Sequence, residues 1–130
     1  MDASRVAAVD ALRDLPAKEI ETLADAMTAI EVDGGNQVIA LDDLGTALYF
    51  IEQGEAEIVR ADDTVVGVLG PGDTFGEIGL LLTGERTATV VARTPLRLLS
   101  LSGQDFDRIR SDVPEVERRL RTLGIDRSSR

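Results

Sequence analysis

The chain has 130 residues, 43% of them apolar, and a formal net charge of -10; that length holds one domain around one hydrophobic core and no second folded module. It contains no Cys and no His. This excludes disulfide scaffolds, thiolate metal centres, imidazole-ligated metal sites of the cupin kind and His-activated Ser or Cys nucleophiles, and the net charge opposes attraction to nucleic acid or anionic membrane.

Val6, Val9 and Leu12 recur at three-residue spacing, and Ile20, Leu23 and Met27 share one stripe, so residues 1–28 are predicted to form two short amphipathic helices. Pro16 suits the first turn of the second helix, where its missing N–H is not needed, and Gly34-Gly35 marks a tight turn beyond it.

From residue 29 to 101 the pattern changes to short β-rich runs: Gln37 to Leu41, Ala47 to Glu52, Ala56 to Arg60, Thr64 to Leu69, Thr87 to Arg93 and Leu96 to Leu101. Gln53-Gly54-Glu55, Asp62-Asp63 and Pro71-Gly72-Asp73 read as the turns between them. Helix returns over 102–130. Ser102 with Asp105 resembles a capping box, Phe106, Ile109 and Val113 form a stripe, and Pro114 restarts a helix carrying Val116, Leu120 and Leu123. The reading is a single mainly β domain, a sandwich or roll flanked by helices at both ends.

Apolar runs such as Ala47 to Ile51 are far short of the roughly 20 residues that cross a bilayer, and no signal segment opens the chain, so a soluble cytoplasmic protein is expected. The charge is unevenly spread. Of the 24 acidic residues 17 lie at or before Glu77, whereas seven of the 14 basic residues fall between Arg108 and Arg130. That basic end reads as the solvated face of terminal helices, with partner binding or ligand capping as the sharper alternative.

One segment interrupts the strand series. Phe75-Gly76-Glu77-Ile78-Gly79-Leu80-Leu81-Leu82, followed by Gly84-Glu85-Arg86-Thr87-Ala88, places a helix-compatible stretch between glycines. A brief helix starting near Gly76 would aim its first free N–H groups at one point. Gly76 and Gly79 would admit a ligand close to the backbone, and Arg86 would supply a full charge, so the segment resembles an anion site, although a Gly-rich turn with an Arg, taken alone, is usually only a turn.

The segment resembles the phosphate-binding cassette of the cyclic-nucleotide-binding domain family. The resemblance rests on the Phe75-Gly76-Glu77 start, a small residue two after Glu77, and the Arg86-Thr87-Ala88 end with Arg86 nine residues after Glu77. Leu48-Tyr49-Phe50-Ile51 leading into Gly54-Glu55-Ala56, and Gly70-Pro71-Gly72-Asp73, are similar to the family's strand, hairpin and pre-cassette turn, so the likeness spans roughly residues 15 to 120.

The family implies a double-stranded β-helix, a jelly-roll-like β-roll over 29–101 with its cassette at 75–88, between N-terminal helices at 1–28 and C-terminal helices at 102–130. It implies a sensor that is not an enzyme, has no catalytic residue, metal or cofactor, and binds cAMP or cGMP. In the implied site Glu77 accepts the ribose 2′-hydroxyl proton and Arg86 pairs with the exocyclic phosphate oxygens. Backbone N–H groups of Gly76, Glu77, Ile78, Gly79, Thr87 and Ala88 complete the cradle. A guanidinium fork matches two phosphate oxygens better than an ammonium, and a carboxylate is a strong acceptor for a hydroxyl.

Each charged hydrogen bond contributes roughly 1.5 to 3 kcal/mol, while micromolar binding requires about 8 kcal/mol, so burial of the base must supply the remainder. Val68, Leu69, Phe75 and Val90 are the candidates for packing the base, although Phe75, with Leu80, Leu81 and Leu82, reads first as core. Thr87 resembles a threonine that bonds guanine in cGMP-dependent kinases. The high Ala and Arg content with a single Lys points to a GC-rich bacterial genome, which tilts the reading to cAMP.

Gln104 to Leu123 is expected to form the hinge and lid, broken at Pro114, with an Arg or Leu between Arg118 and Leu123 over the base and a fused or separate effector receiving the signal. No DNA binding and no membrane insertion are expected. Pro114 and the arginines of the last helix predict a monomer or weak dimer. The alternative is a degenerate roll that serves as a scaffold or interaction domain without nucleotide.

Overall fold

The computed structural model describes residues 1–39, 47–77, 81 and 88–128, with side chains to residue 124. The helices are α1 (Ala3–Ala7), α2 (Ala17–Ala26), α3 (Gly103–Ile109) and α4 (Pro114–Ser128). The strands are β1 (Thr28–Val32), β2 (Gln37–Ile39), β3 (Ala47–Gln53), β4 (Ala56–Val59), β5 (Val65–Leu69), β6 (Thr74–Phe75), β7 (Thr89–Ala92) and β8 (Leu96–Ser102). They form two antiparallel four-stranded sheets in the orders β1-β8-β3-β6 and β2-β7-β4-β5. Sequence neighbours are thus dealt between two faces, as in a roll, and the mainly β fold flanked by helices is the one the sequence predicts.

The expected single core is divided in two by the first sheet. Leu48 and Phe50 of β3, with Leu99 and Leu101 of β8, face the helices and pack with Val6, Leu12, Ile20, Leu23, Phe106, Val116 and Leu120. Ile51 of β3, with Leu96 and Leu98 of β8, faces the second sheet and packs with Ile39, Ala56, Phe75, Val90 and Ala92. A strand buried on both faces reads as a continuous apolar run rather than an alternation. This is why Ala47–Ile51 and Leu96–Leu101 are so densely hydrophobic.

Two strands, β1 and β6, are absent from the six predicted runs. β1 is an edge strand with only Ile30 and Val32 turned inward, and β6 has two residues, so neither carries a period to detect. The spacing of Val6, Val9 and Leu12 does not give one helix. α1 ends at Ala7 and a 3₁₀ turn spans Asp10–Leu12, and spacing by three is the 3₁₀ repeat. Pro16 stands at the N-cap of α2, its carbonyl accepting from Glu19 and Ile20 N–H, rather than inside the first turn.

The predicted turns are present: Gly35, Gly54, Gly72 and Asp63 all have positive φ. At α3 the Ser102 side chain accepts from the Asp105 N–H at 3.1 Å. Among the described residues no helix is long and apolar enough to cross a membrane.

Candidate functional site

The segment singled out in the sequence begins where the first sheet ends. At Gly70-Pro71-Gly72-Asp73 the Asp73 N–H donates to the Gly70 carbonyl at 3.1 Å and the Gly70 N–H to Asp73 Oδ2 at 2.9 Å. Pro71 precedes a glycine at φ +94°, the pairing a type II turn requires. Ile51 and this turn exchange two backbone bonds, Ile51 N–H to Asp73 O at 2.8 Å and Gly72 N–H to Ile51 O at 2.9 Å. β6 then pairs with Tyr49 and Phe50, the Thr74 hydroxyl donates to the Tyr49 carbonyl at 2.8 Å, and the Phe75 ring stacks on Tyr49 with centroids 5.1 Å apart.

Gly76 has φ +94°, a conformation an L side chain disfavours, and it swings the chain from strand into a helical turn at Glu77. Glu77 is 1% exposed. A carboxylate buried to that degree is costly to hold unless it serves hydrogen bonding, and such groups concentrate at functional sites. Leu81, farther along, is partly buried and packs against the helix-side core. The chain re-emerges at half-buried Ala88 and enters β7 in the second sheet. The segment therefore leaves the first sheet after β6 and enters the second at β7. Ile78, Gly79, Leu80, Leu82, Arg86 and Thr87 lie outside the described residues.

The four base-packing candidates divide. Leu69 and Val90 lie on the inner face of the second sheet, in register with Ala56 and Ile58 respectively, and Phe75 is 3% exposed in the same core. Val68 is 44% exposed and stands opposite Glu57, which is itself opposite Val91. That is the outer face, so Val68 is not brought together with the other three.

The C-terminal helices reach the segment. α3 is followed by a 3₁₀ turn at Arg110–Asp112, and α4 starts at Pro114. Of the residues between Arg118 and Leu123, Arg121 donates from Nη1 to the Leu81 carbonyl at 3.1 Å, Arg119 donates to the Arg13 carbonyl, and Arg118 pairs with Glu115 at 2.7 Å. Leu123 is half-buried. Arg108 and Arg110 also hold acidic partners, Asp105, Asp107 and Glu117.

A residue missed in the sequence is Glu19. It is 6% exposed and accepts from the backbone N–H groups of Glu115 and Val116. The signal was present, since Glu19, Leu23 and Met27 are four residues apart and put a carboxylate on the buried stripe of α2.

Comparison with known proteins agrees with this geometry. The family described as cyclic nucleotide-binding domain matches residues 29–112, and the chain belongs to that family. Within it, the chain is 41% identical over 106 residues to a cAMP-dependent protein kinase regulatory subunit of Yarrowia lipolytica, covering 81% of this chain and 28% of that protein. The regulatory domain of Toxoplasma gondii PKA, solved with cAMP, superposes with a TM-score of 0.81 at 24% identity, over 98% of this chain and 49% of that one. The regulatory subunit of a cAMP-independent protein kinase A from Trypanosoma brucei superposes with a TM-score of 0.82 at 25% identity, over 98% and 44%. The chain thus spans well under half the length of the sequence relative. The matched subunits are fungal and lend no support to the bacterial origin expected from composition.

Proposed function

We propose that this chain is a cAMP-binding regulatory module without catalytic activity, in which the cassette at 75–88 takes up the cyclic phosphate and ribose and the C-terminal helices carry its occupancy to an effector. The observation that carries the reading is Glu77, a buried carboxylate directly after left-handed Gly76 at the start of the segment that joins the two sheets.

Glu77 accepts the ribose 2′-hydroxyl, and Arg86 pairs with the two exocyclic phosphate oxygens. N–H groups of Gly76, Ile78, Gly79, Thr87 and Ala88 line the cradle. Leu69 and Val90, on the inner sheet face, receive the base. cAMP is favoured over cGMP because the sequence relatives are regulatory subunits of cAMP-dependent kinases. The same relatives make a kinase catalytic subunit, or another effector, the receiver of the signal. The module works in the cytoplasm, as a monomer or weak dimer, with no cofactor beyond its ligand.

Fold likeness does not decide the ligand, since the trypanosomal regulatory subunit shares the fold and is described as cAMP-independent. What supports cAMP binding is residue identity, since the sequence carries both the Glu and the Arg of the family's cassette. The test is calorimetric titration of the chain with cAMP and cGMP beside an Arg86→Leu variant. Binding of cAMP by the wild type, lost in the variant, supports the reading. A folded wild type that binds neither nucleotide makes the chain a scaffold.

A further inference from the structure

We infer that Glu19 is a positioning residue for the nucleotide site: its buried carboxylate caps α4 from across the helical layer and so sets where Arg121 meets the cassette. The inference rests on the nucleotide-binding reading above.

The first four N–H groups of a helix have no partner within it, and a Ser, Thr, Asp or Asn just before the helix usually supplies one. α4 is preceded by Val113 and begins with Pro114, neither of which has a side-chain acceptor. Oε1 of Glu19 takes that role from α2, accepting from Glu115 N–H at 3.0 Å and from Val116 N–H at 3.1 Å. The negative charge also opposes the positive end of the helix dipole.

One turn further, Arg119 donates to the carbonyl of Arg13, at the loop before α2 where Asp14 has φ +65°. Val116 and Leu120, beside these ties, are fully buried. Arg121, next along, donates to Leu81. The start of α4 is thus anchored on the N-terminal helices and its second turn on the cassette. A slip of α4 by one turn would carry Arg121 about 5.4 Å along the axis, out of hydrogen-bond reach of that carbonyl. With the cap gone, the nucleotide must order more of the cassette when it binds, and affinity falls.

The test compares wild type with Glu19→Ala, Glu19→Gln and Glu19→Asp, by hydrogen exchange at the Glu115 and Val116 amides and by titration with cAMP. Glu19→Ala should speed exchange at both amides and weaken cAMP binding about five-fold. Glu19→Gln keeps an acceptor oxygen at the same reach and should recover most of the affinity. Glu19→Asp keeps the charge but withdraws it by one methylene, and should bind weakly. Should the Ala variant not fold, the Asp variant reads the same question.

Faster exchange in Glu19→Ala or Glu19→Asp with wild-type or tighter cAMP affinity overturns the inference and leaves Glu19 a fold-stabilising cap. A wild type that binds no cAMP removes the nucleotide reading and this inference with it. Wild-type binding abolished by Arg86→Leu upholds the nucleotide reading whichever way the Glu19 variants behave.

Discussion

The guanidinium of Arg121, in α4, donates to the main-chain carbonyl of Leu81, 40 residues earlier and just beyond Glu77. In the proposed function this hydrogen bond couples the last helix to the cassette, since a change at either end alters the geometry of the contact. Arg121→Ala should therefore weaken cAMP binding by about three- to ten-fold, the equivalent of one hydrogen bond. Titration of the variant, beside amide exchange along α4, would check it; unchanged affinity would mean the contact carries no coupling.

Glu77 has a more specific signature. Glu77→Gln preserves its shape and removes its charge, and should cost roughly ten-fold or more in cAMP affinity, since hydrogen bonds to ionised groups are worth about 1.5 to 3 kcal/mol. A cycle with 2′-deoxy-cAMP isolates the contact. The deoxy analogue should bind wild type weakly, and the Gln variant should scarcely distinguish the two ligands.

The exposed position of Val68, opposite Glu57 on the outer face of the second sheet, separates it from Leu69. Val68→Thr should leave cAMP affinity unchanged and stability within about 0.5 kcal/mol. Leu69→Ala should weaken binding. Titration and urea denaturation of both variants would show whether the inner face alone receives the base.

Gly54 has φ +94°, and a Cβ placed there would collide with the Pro95 carbonyl oxygen and crowd the Leu96 side chain and Thr94 Oγ1. Gly54→Ala should destabilise the domain by about 2 to 3 kcal/mol through strained backbone and contact together. Urea denaturation measures this directly; at a temperature where the variant is folded, cAMP affinity should match wild type.

A small acid-side effect is expected at the β4–β5 hairpin. The Thr64 side chain and then its backbone N–H bond the Asp62 carboxylate and hold its pKa below the ordinary 3.8. A folded-state pKa below the unfolded one gives stability that is present above pH 3.8 and lost as pH falls through the folded value. Asp62 should titrate below 3.8 by NMR, and Asp62→Ala should flatten that part of the acid limb of stability.

Most of this architecture was legible along the chain because short-range chemistry produced it. Gly-Pro-Gly-Asp dictates its own turn, Ser102 caps α3 through the third residue on, and strands buried on both faces announce themselves by density of Leu, Ile and Phe. β1 and β6 were not legible. Their pairing with β8 and β3 is supplied by those partners, and a two-residue strand has no pattern of its own. Val68 and Leu69 are equivalent by adjacency to the cassette, and only the register against β4 turns one outward and the other inward.

By itself the sequence pointed to the family this chain belongs to. Absence of Cys and His removed the common catalytic and metal chemistries, and Phe75-Gly76-Glu77 with Arg86-Thr87-Ala88 carried the resemblance to the family's phosphate-binding cassette, because those residues stand close together along the chain. The tertiary structure alone decided what the segment is connected to. Glu19 meets the first turn of α4, and Arg121 meets Leu81, across 96 and 40 residues of chain. Contacts so distant along the sequence arise only when the helices have packed on the first sheet.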